Sequence, residues 1–158
     1  MFRTIASSIL VNLMIVGTSL AATPEVFEVR AVEEQPKSDS IRYENQRPDG
    51  TTEALFLGPT QLLDITSVKS ATVTSSEKGE PMVTINFTDE GGRRFAEITE
   101  QHLNKRIGFV IEGRLMMAPM VMSVISGGSV SISGNFTKAQ ADELAANINK
   151  AAESAASH

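Results

Sequence analysis

Alternation of apolar and polar side chains, returning again and again in short runs, constrains this chain more than any other feature. The clearest run is Met82 to Thr88 (MVTINFT), which puts Val83, Ile85 and Phe87 on one face of an extended segment. Val26 to Val32 (VFEVRAV), Ser70 to Ser75 (SATVTS) and Ser129 to Ser133 (SVSIS) repeat the pattern. Such patterning marks strands with one face in a core and the other toward water. Ile107 to Ile111 (IGFVI) is apolar throughout and predicts a central strand. Glu77-Lys78-Gly79-Glu80 and Glu112-Gly113 are turns too short for a helical crossover, so the strands they join pair antiparallel.

Two segments carry helical periodicity instead. Thr88 or Asp89 caps the first, with Phe95, Ile98, His102 and Leu103 on its apolar stripe and Arg93, Arg94, Glu97 and Glu100 outside. Phe136-Thr137 opens the second, where Thr137 and Gln140 form a capping box and Leu144, Ala145, Ile148 and Ala152 face inward. The expected fold is α+β, a mostly antiparallel sheet covered on one face by two helices. Glu33 to Thr52 is polar, contains Pro36, Pro48 and Asp49-Gly50, and reads as a loop or loose connector. The expected organisation is a signal peptide at 1–22, an N-terminal strand and polar connector at 23–52, an α+β domain at 53–150 and a frayed tail at 151–158.

Residues 1–22 (MFRTIASSILVNLMIVGTSLAA) place Arg3 before an apolar run and end in small residues. That layout predicts a secretory signal peptide cut after Ala21 or Ala22, with an uncleaved anchor as the alternative. No later stretch is apolar for long enough to cross a bilayer, so a periplasmic or secreted mature chain without a transmembrane helix is expected. The net charge of −5 becomes −6 without Arg3 and argues against nucleic acid as a partner. Zero Cys excludes disulfides, thiolate metal sites and a thiol nucleophile.

Residues that could carry chemistry are few. His102 and His158 are the only histidines, and neither has a second ligand at metal-binding spacing. No nucleophile elbow or phosphate-cradling glycine motif occurs, so no catalytic residue, cofactor or metal site is expected. Glu112 is the one carboxylate flanked by apolar strands on both sides, and it would carry a hydrolase if there were one. Met116, Met117, Met120 and Met122 cluster around Ala118-Pro119. Plain core packing, an adaptable partner-binding surface and a thioether copper site are the three readings of that cluster. Pro119 makes the strand there an edge or a bulge.

Pro81 to Asn149 resembles the head subdomain of the first periplasmic domain of SecD. Glu90, Gly91, Phe95 and Thr99 match the family's helix motif, Glu112-Gly113 its hairpin, and Ala118-Pro119 its Ala-Pro pair. Ile125 with Gly127-Gly128, and Ile132, Gly134, Phe136 and Thr137, match its last two motifs. The resemblance implies the head fold and contact with emerging polypeptide, while no counterpart of the family's membrane motor and base subdomain is expected here. These matched positions also suit turns, caps and core, so they are expected to be structural. The leading expectation is thus a non-catalytic, extracytoplasmic module that binds exported or unfolded polypeptide without proton-driven motor activity. A cell-envelope protein that binds one folded partner or itself is the alternative, and a carboxylate hydrolase the remote one.

Overall fold

The computed structural model describes residues 25–47 and 50–157. The signal-like segment at 1–22 and His158 lie outside the described residues. Nine strands and two helices follow one another: β1 (Phe27–Glu33), β2 (Ile41–Gln46), β3 (Thr52–Leu57), β4 (Leu63–Asp64), β5 (Val68–Ser75), β6 (Pro81–Phe87), α1 (Asp89–Gln101), β7 (Ile107–Ile111), β8 (Arg114–Met117), β9 (Ser129–Ser133) and α2 (Lys138–Ala156). A 3-10 turn, Ile65–Ser67, sits between β4 and β5. Every pairing between them is antiparallel. The class is α+β, as the alternating runs and short turns require.

The strands divide between two sheets. One has the order β2-β3-β1-β7-β8, with β4 also on β1, and the other the order β5-β6-β9. Both sheets and both helices share one core. Phe27 and Val29 of β1 meet Ile107, Phe109 and Ile111 of β7, together with Val83, Ile85 and Phe87 of β6. Phe95 and Ile98 of α1 and Leu144, Ala145 and Ile148 of α2 complete it. A chain of rings ties sheet to sheet through α1: Phe27–Phe87 at 6.3 Å, Phe87–Phe95 at 4.9 Å and Phe95–Phe109 at 6.1 Å. Their tilted and edge-on geometry suits the ring quadrupole.

Local chemistry sets the helix starts. Thr88 accepts from Gly91 N–H at 3.0 Å, with Asp89 and Glu90 in the first turn, where the helix dipole favours acid. Gly91 is required by space, because a Cβ there would lie 2.3 Å from the Ser67 carbonyl oxygen. Thr137 accepts from Gln140 N–H at 3.2 Å while the Gln140 side chain accepts from Thr137 N–H at 2.9 Å. The capping box thus forms.

Three sequence expectations need correction. Residues 41–46 are a strand, not a connector: β2 pairs with β3 from Ile41↔Leu57 to Gln46↔Thr52. Its segment, IRYENQ, has too few apolar side chains to betray a strand, and β3 supplies the order. At the other end α2 continues to Ala156, with Ala152 buried, so most of 151–158 is helix rather than frayed tail. Finally, the charged positions of β1 do not face water. Glu28 and Arg30 are buried, because a second, smaller core covers that face of the sheet. Leu55, Leu57, Val110 and Ala118 form it, with Val32, Tyr43 and Leu115 packed around them. Gly108 permits the covering, since a Cβ there would lie 2.7 Å from Leu57 Cδ2. Inside, Arg30 Nε donates to Glu28 at 2.5 Å and its Nη1 donates to the carbonyls of Gly58 (3.1 Å) and Pro59.

Candidate functional site

The methionine-rich segment lies at the edge of the larger sheet. Glu112 and Gly113 both take positive φ, +50° and +75°, and form the two-residue turn that reverses β7 into β8. Such a turn suits the right-handed twist of the strands it joins. The Glu112 carboxylate accepts from Asn147 Nδ2 of α2 at 2.8 Å, which ties the hairpin tip to the second helix. Turn geometry and this tie give Glu112 a structural place.

β8 pairs with β7 on one side and ends its sheet on the other. Its register jumps from Val110↔Leu115 to Phe109↔Met117, which leaves Met116 as the extra residue of a bulge. The strand stops at Met117, and only an isolated bridge, Arg106↔Met120, continues the pairing. Pro119 thus stands outside regular strand, as its missing N–H demands. Met116 and Met117 are half-buried against the main core, while Met120 is 50% and Met122 76% exposed. Core and surface therefore share the cluster, and its four side chains do not make one continuous stripe.

An open groove of about 1690 Å³ runs over this edge. Leu115, Met116, Met117 and Met120 line it, together with Arg42 to Asn45 of β2, Ser133 at the end of β9, and Gln140, Glu143 and Asn147 of α2. Met122 is not part of its lining. Charges of both signs line the rim. Arg106 donates to the Ala118 carbonyl at 2.9 Å and reaches Glu53 at 3.4 Å, and Arg47 pairs with Glu53 at 3.0 Å. Burial by itself would raise the Glu53 pKa. The two guanidiniums outweigh it and hold the carboxyl below its ordinary range.

The residues of the family motif take mostly structural places. Thr99 is buried, donates to the Phe95 and Ala96 carbonyls, and accepts from Ile125 N–H at 3.0 Å, so it pins the segment after β8 to α1. Gly128, at φ +68°, offers its carbonyl to Phe87 N–H at 2.8 Å. The Phe136 ring lies where a Cβ on Gly134 would come within 3.0 Å. Phe95 and Ile132 are fully buried and Ala118 belongs to the second core. Glu90 is exposed and pairs with Arg93. Nothing in the structure explains Gly127, which has open space around it.

Among the described residues no group of three or more metal-ligating side chains could hold an ion, and no helix is long and apolar enough to cross a membrane. What sequence reasoning missed is the contribution of β2. Arg42 to Asn45 border the groove, but a polar strand inside a polar stretch gives no periodic signal.

Comparison with known proteins places the whole arrangement. A SecD protein translocase subunit from Magnetococcus marinus is 35% identical over 120 residues, covering 73% of this chain and 23% of that protein. One from Sebaldella termitidis is 42% identical over 88 residues, covering 56% of this chain and 21% of that protein. The chain thus spans less than a quarter of the length of these relatives. A solved structure of SecDF, described as a membrane component that enhances protein export, shares the fold with a TM-score of 0.63. It is 24% identical, over 78% of this chain and 61% of that one. SecDF in a super-membrane-facing form superposes with a TM-score of 0.62 at 26% identity, over 78% of this chain and 18% of that one. The family model described as SecDF, P1 head subdomain matches residues 40–153, a span that takes in the β2–β3 hairpin as well as the helices. By that match this chain belongs to the SecDF P1 head subdomain family.

Proposed function

We infer that the chain is a non-catalytic, extracytoplasmic binding module for polypeptide in extended or unfolded form, working without proton-driven motor activity. One observation carries this: β8, unpaired on its outer side, lies along an open groove lined by flexible thioethers. An extended chain adds to a strand edge through main-chain hydrogen bonds, which do not depend on its sequence. Methionine adapts to varied apolar side chains, so Met116, Met117 and Met120 accept many partners without selecting one. Kinship with protein translocase subunits supports a polypeptide as the ligand. The layout of residues 1–22 supports export of the chain.

The test is direct. The chain is mixed with a reduced, unfolded substrate, and aggregation and complex formation are followed. Suppression of aggregation at tens of micromolar, weakened by Met120→Asp, is the expected result. No suppression and no complex at that concentration overturns the proposal.

A further inference from the structure

The smaller sheet has two edges, and they differ. On β5 the edge is closed. Ala71 N–H donates to Asn149 Oδ1 at 2.7 Å and the Ala71 carbonyl accepts from Asn149 Nδ2 at 2.9 Å. A register shift between Val68 and Ser70 and the exposed Lys69 further disrupt it. Bulges and basic edge residues discourage strand addition, and on β5 they act together with the Asn149 clasp, for which β8, itself bulged at Met116, has no counterpart among the described residues.

On β9 no second strand is paired, although β8 lies nearby, and the polarity of this edge follows from Asn149. Both main-chain groups of Ala71 point away from β6, so Ala71↔Ile85 is a pair without mutual hydrogen bonds. The main-chain groups of Ile85 therefore turn to the opposite side, toward Val130. Alternation then aims Val130 and Ile132 at β6 and aims Ser129, Ser131 and Ser133 outward. Among the described residues these three outward serines have no main-chain partner beyond β6. Charge is absent as well. β2 carries Arg42 and Glu44 and β8 carries Arg114, whereas β9 is SVSIS. Beside it the hydroxyls of Thr74, Thr84 and Ser131 form a neutral row at 3.0 Å spacings. A chain of net charge −5 repels its own copy in general, and β9 itself adds no charge to that repulsion.

We propose that β9 is a self-association edge, at which two copies of this chain pair antiparallel about a two-fold axis at Ser131. Ser131 then faces the partner's Ser131 and Ser129 faces the partner's Ser133. In that register all three outward serines meet outward serines, and each pair exchanges both bonds. Any shifted register leaves at least one of them without its opposite. The pattern is self-complementary, as an isologous contact must be. A strand this short buries little area, so the dimer is weak and concentration-dependent.

The chain has no cysteine, so Ser131→Cys creates a single thiol. Oxidising the full chain with this substitution is expected to link two copies, because hydrogen-bonded pairs hold Cα atoms about 5.5 Å apart. Ser129→Cys alone is expected not to link, since its copy lies about 13 Å away along the strand. Mixing it with Ser133→Cys is expected to restore the link. Ser131→Pro removes an N–H that faces away from β6, so the fold persists while the dimer population falls at least tenfold. Ser131→Lys, which opposes like charges across the axis, is expected to do the same. A monomer at about 100 μM with no Ser131→Cys link overturns the proposal, as does equal linking by Ser129→Cys and Ser131→Cys. An extended foreign peptide that protects the Ser131 amide on a monomeric chain overturns it too, in favour of peptide addition there. Ser133 also borders the groove, so the groove is tested separately by aggregation suppression with Met120→Asp, which leaves β9 untouched, and the dimer by the Ser131→Cys link.

Discussion

Asn149 stands in for a missing strand at Ala71: its side-chain amide accepts the Ala71 N–H at 2.7 Å and donates to the Ala71 carbonyl at 2.9 Å. One helix side chain thereby satisfies both groups that an edge residue leaves open. Asn149→Ala is expected to cost about 1–2 kcal/mol, because both partly buried groups lose a partner. Asn149→Asp keeps the acceptor, loses the donor and sets an oxygen against the carbonyl, so it recovers little. Urea midpoints of the three proteins check this.

Two family glycines are expected to behave oppositely. At Gly91 alanine gains about 1 kcal/mol of helix propensity. Its Cβ, however, meets the Ser67 carbonyl at 2.3 Å, and that atom belongs to backbone. The clash wins, and Gly91→Ala is expected to lose about 2 kcal/mol or more. Gly127→Ala, in open space, is expected to stay within about 0.5 kcal/mol of the parent. Equal effects at the two positions contradict the packing of α1 on the 3-10 turn.

Beneath the β2–β3 hairpin, the Glu28–Arg30 pair is more costly to break than to replace. Arg30→Met leaves a buried carboxylate unpaired and is expected to cost about 3–5 kcal/mol. Adding Glu28→Leu is expected to return part of that loss. Tyr43 reports the change optically, since it is the single tyrosine. Burial raises its pKa, the Glu28 charge raises it further and Arg30 opposes both. Arg30→Met alone is therefore expected to move the phenolate transition to higher pH. An unmoved transition contradicts the placement of Tyr43 over the pair.

At the groove rim, Arg47 and Arg106 hold the Glu53 carboxyl below its ordinary range. A carboxyl with a depressed folded pKa adds stability above its unfolded pKa, and that stability is lost as pH falls through the folded value. Arg106→Gln is expected to raise the Glu53 titration midpoint and narrow this acid-side window. Carboxyl chemical shifts of Glu53 followed against pH give the answer. A midpoint unchanged by the substitution contradicts the pairing at 3.4 Å.

Much of this architecture is legible from local sequence. β6 announces itself because Val83, Ile85 and Phe87 alternate without interruption, and α2 because Thr137 and Gln140 cap each other within one turn. Glu112-Gly113 needs only its own backbone to reverse the chain. Other features depend on partners distant in sequence. β2 is ordered by β3, Glu28 and Arg30 are buried by a hairpin that Gly108 lets approach, and division into two sheets follows from which strands share a core. The candidate site divides likewise. Met120 stands out in the sequence, whereas the wall built by Arg42 to Asn45 exists only once the hairpin folds over.

The measurement that bears most directly on the groove is photocrosslinking in the intact cell envelope, with a photoreactive residue at Met120 and a control at Met122, which lies outside the lining. Binding of extended polypeptide predicts that Met120 captures many different exported chains in their unfolded form, far more than Met122 does. Capture of one folded protein alone, or equal capture at the two positions, contradicts it.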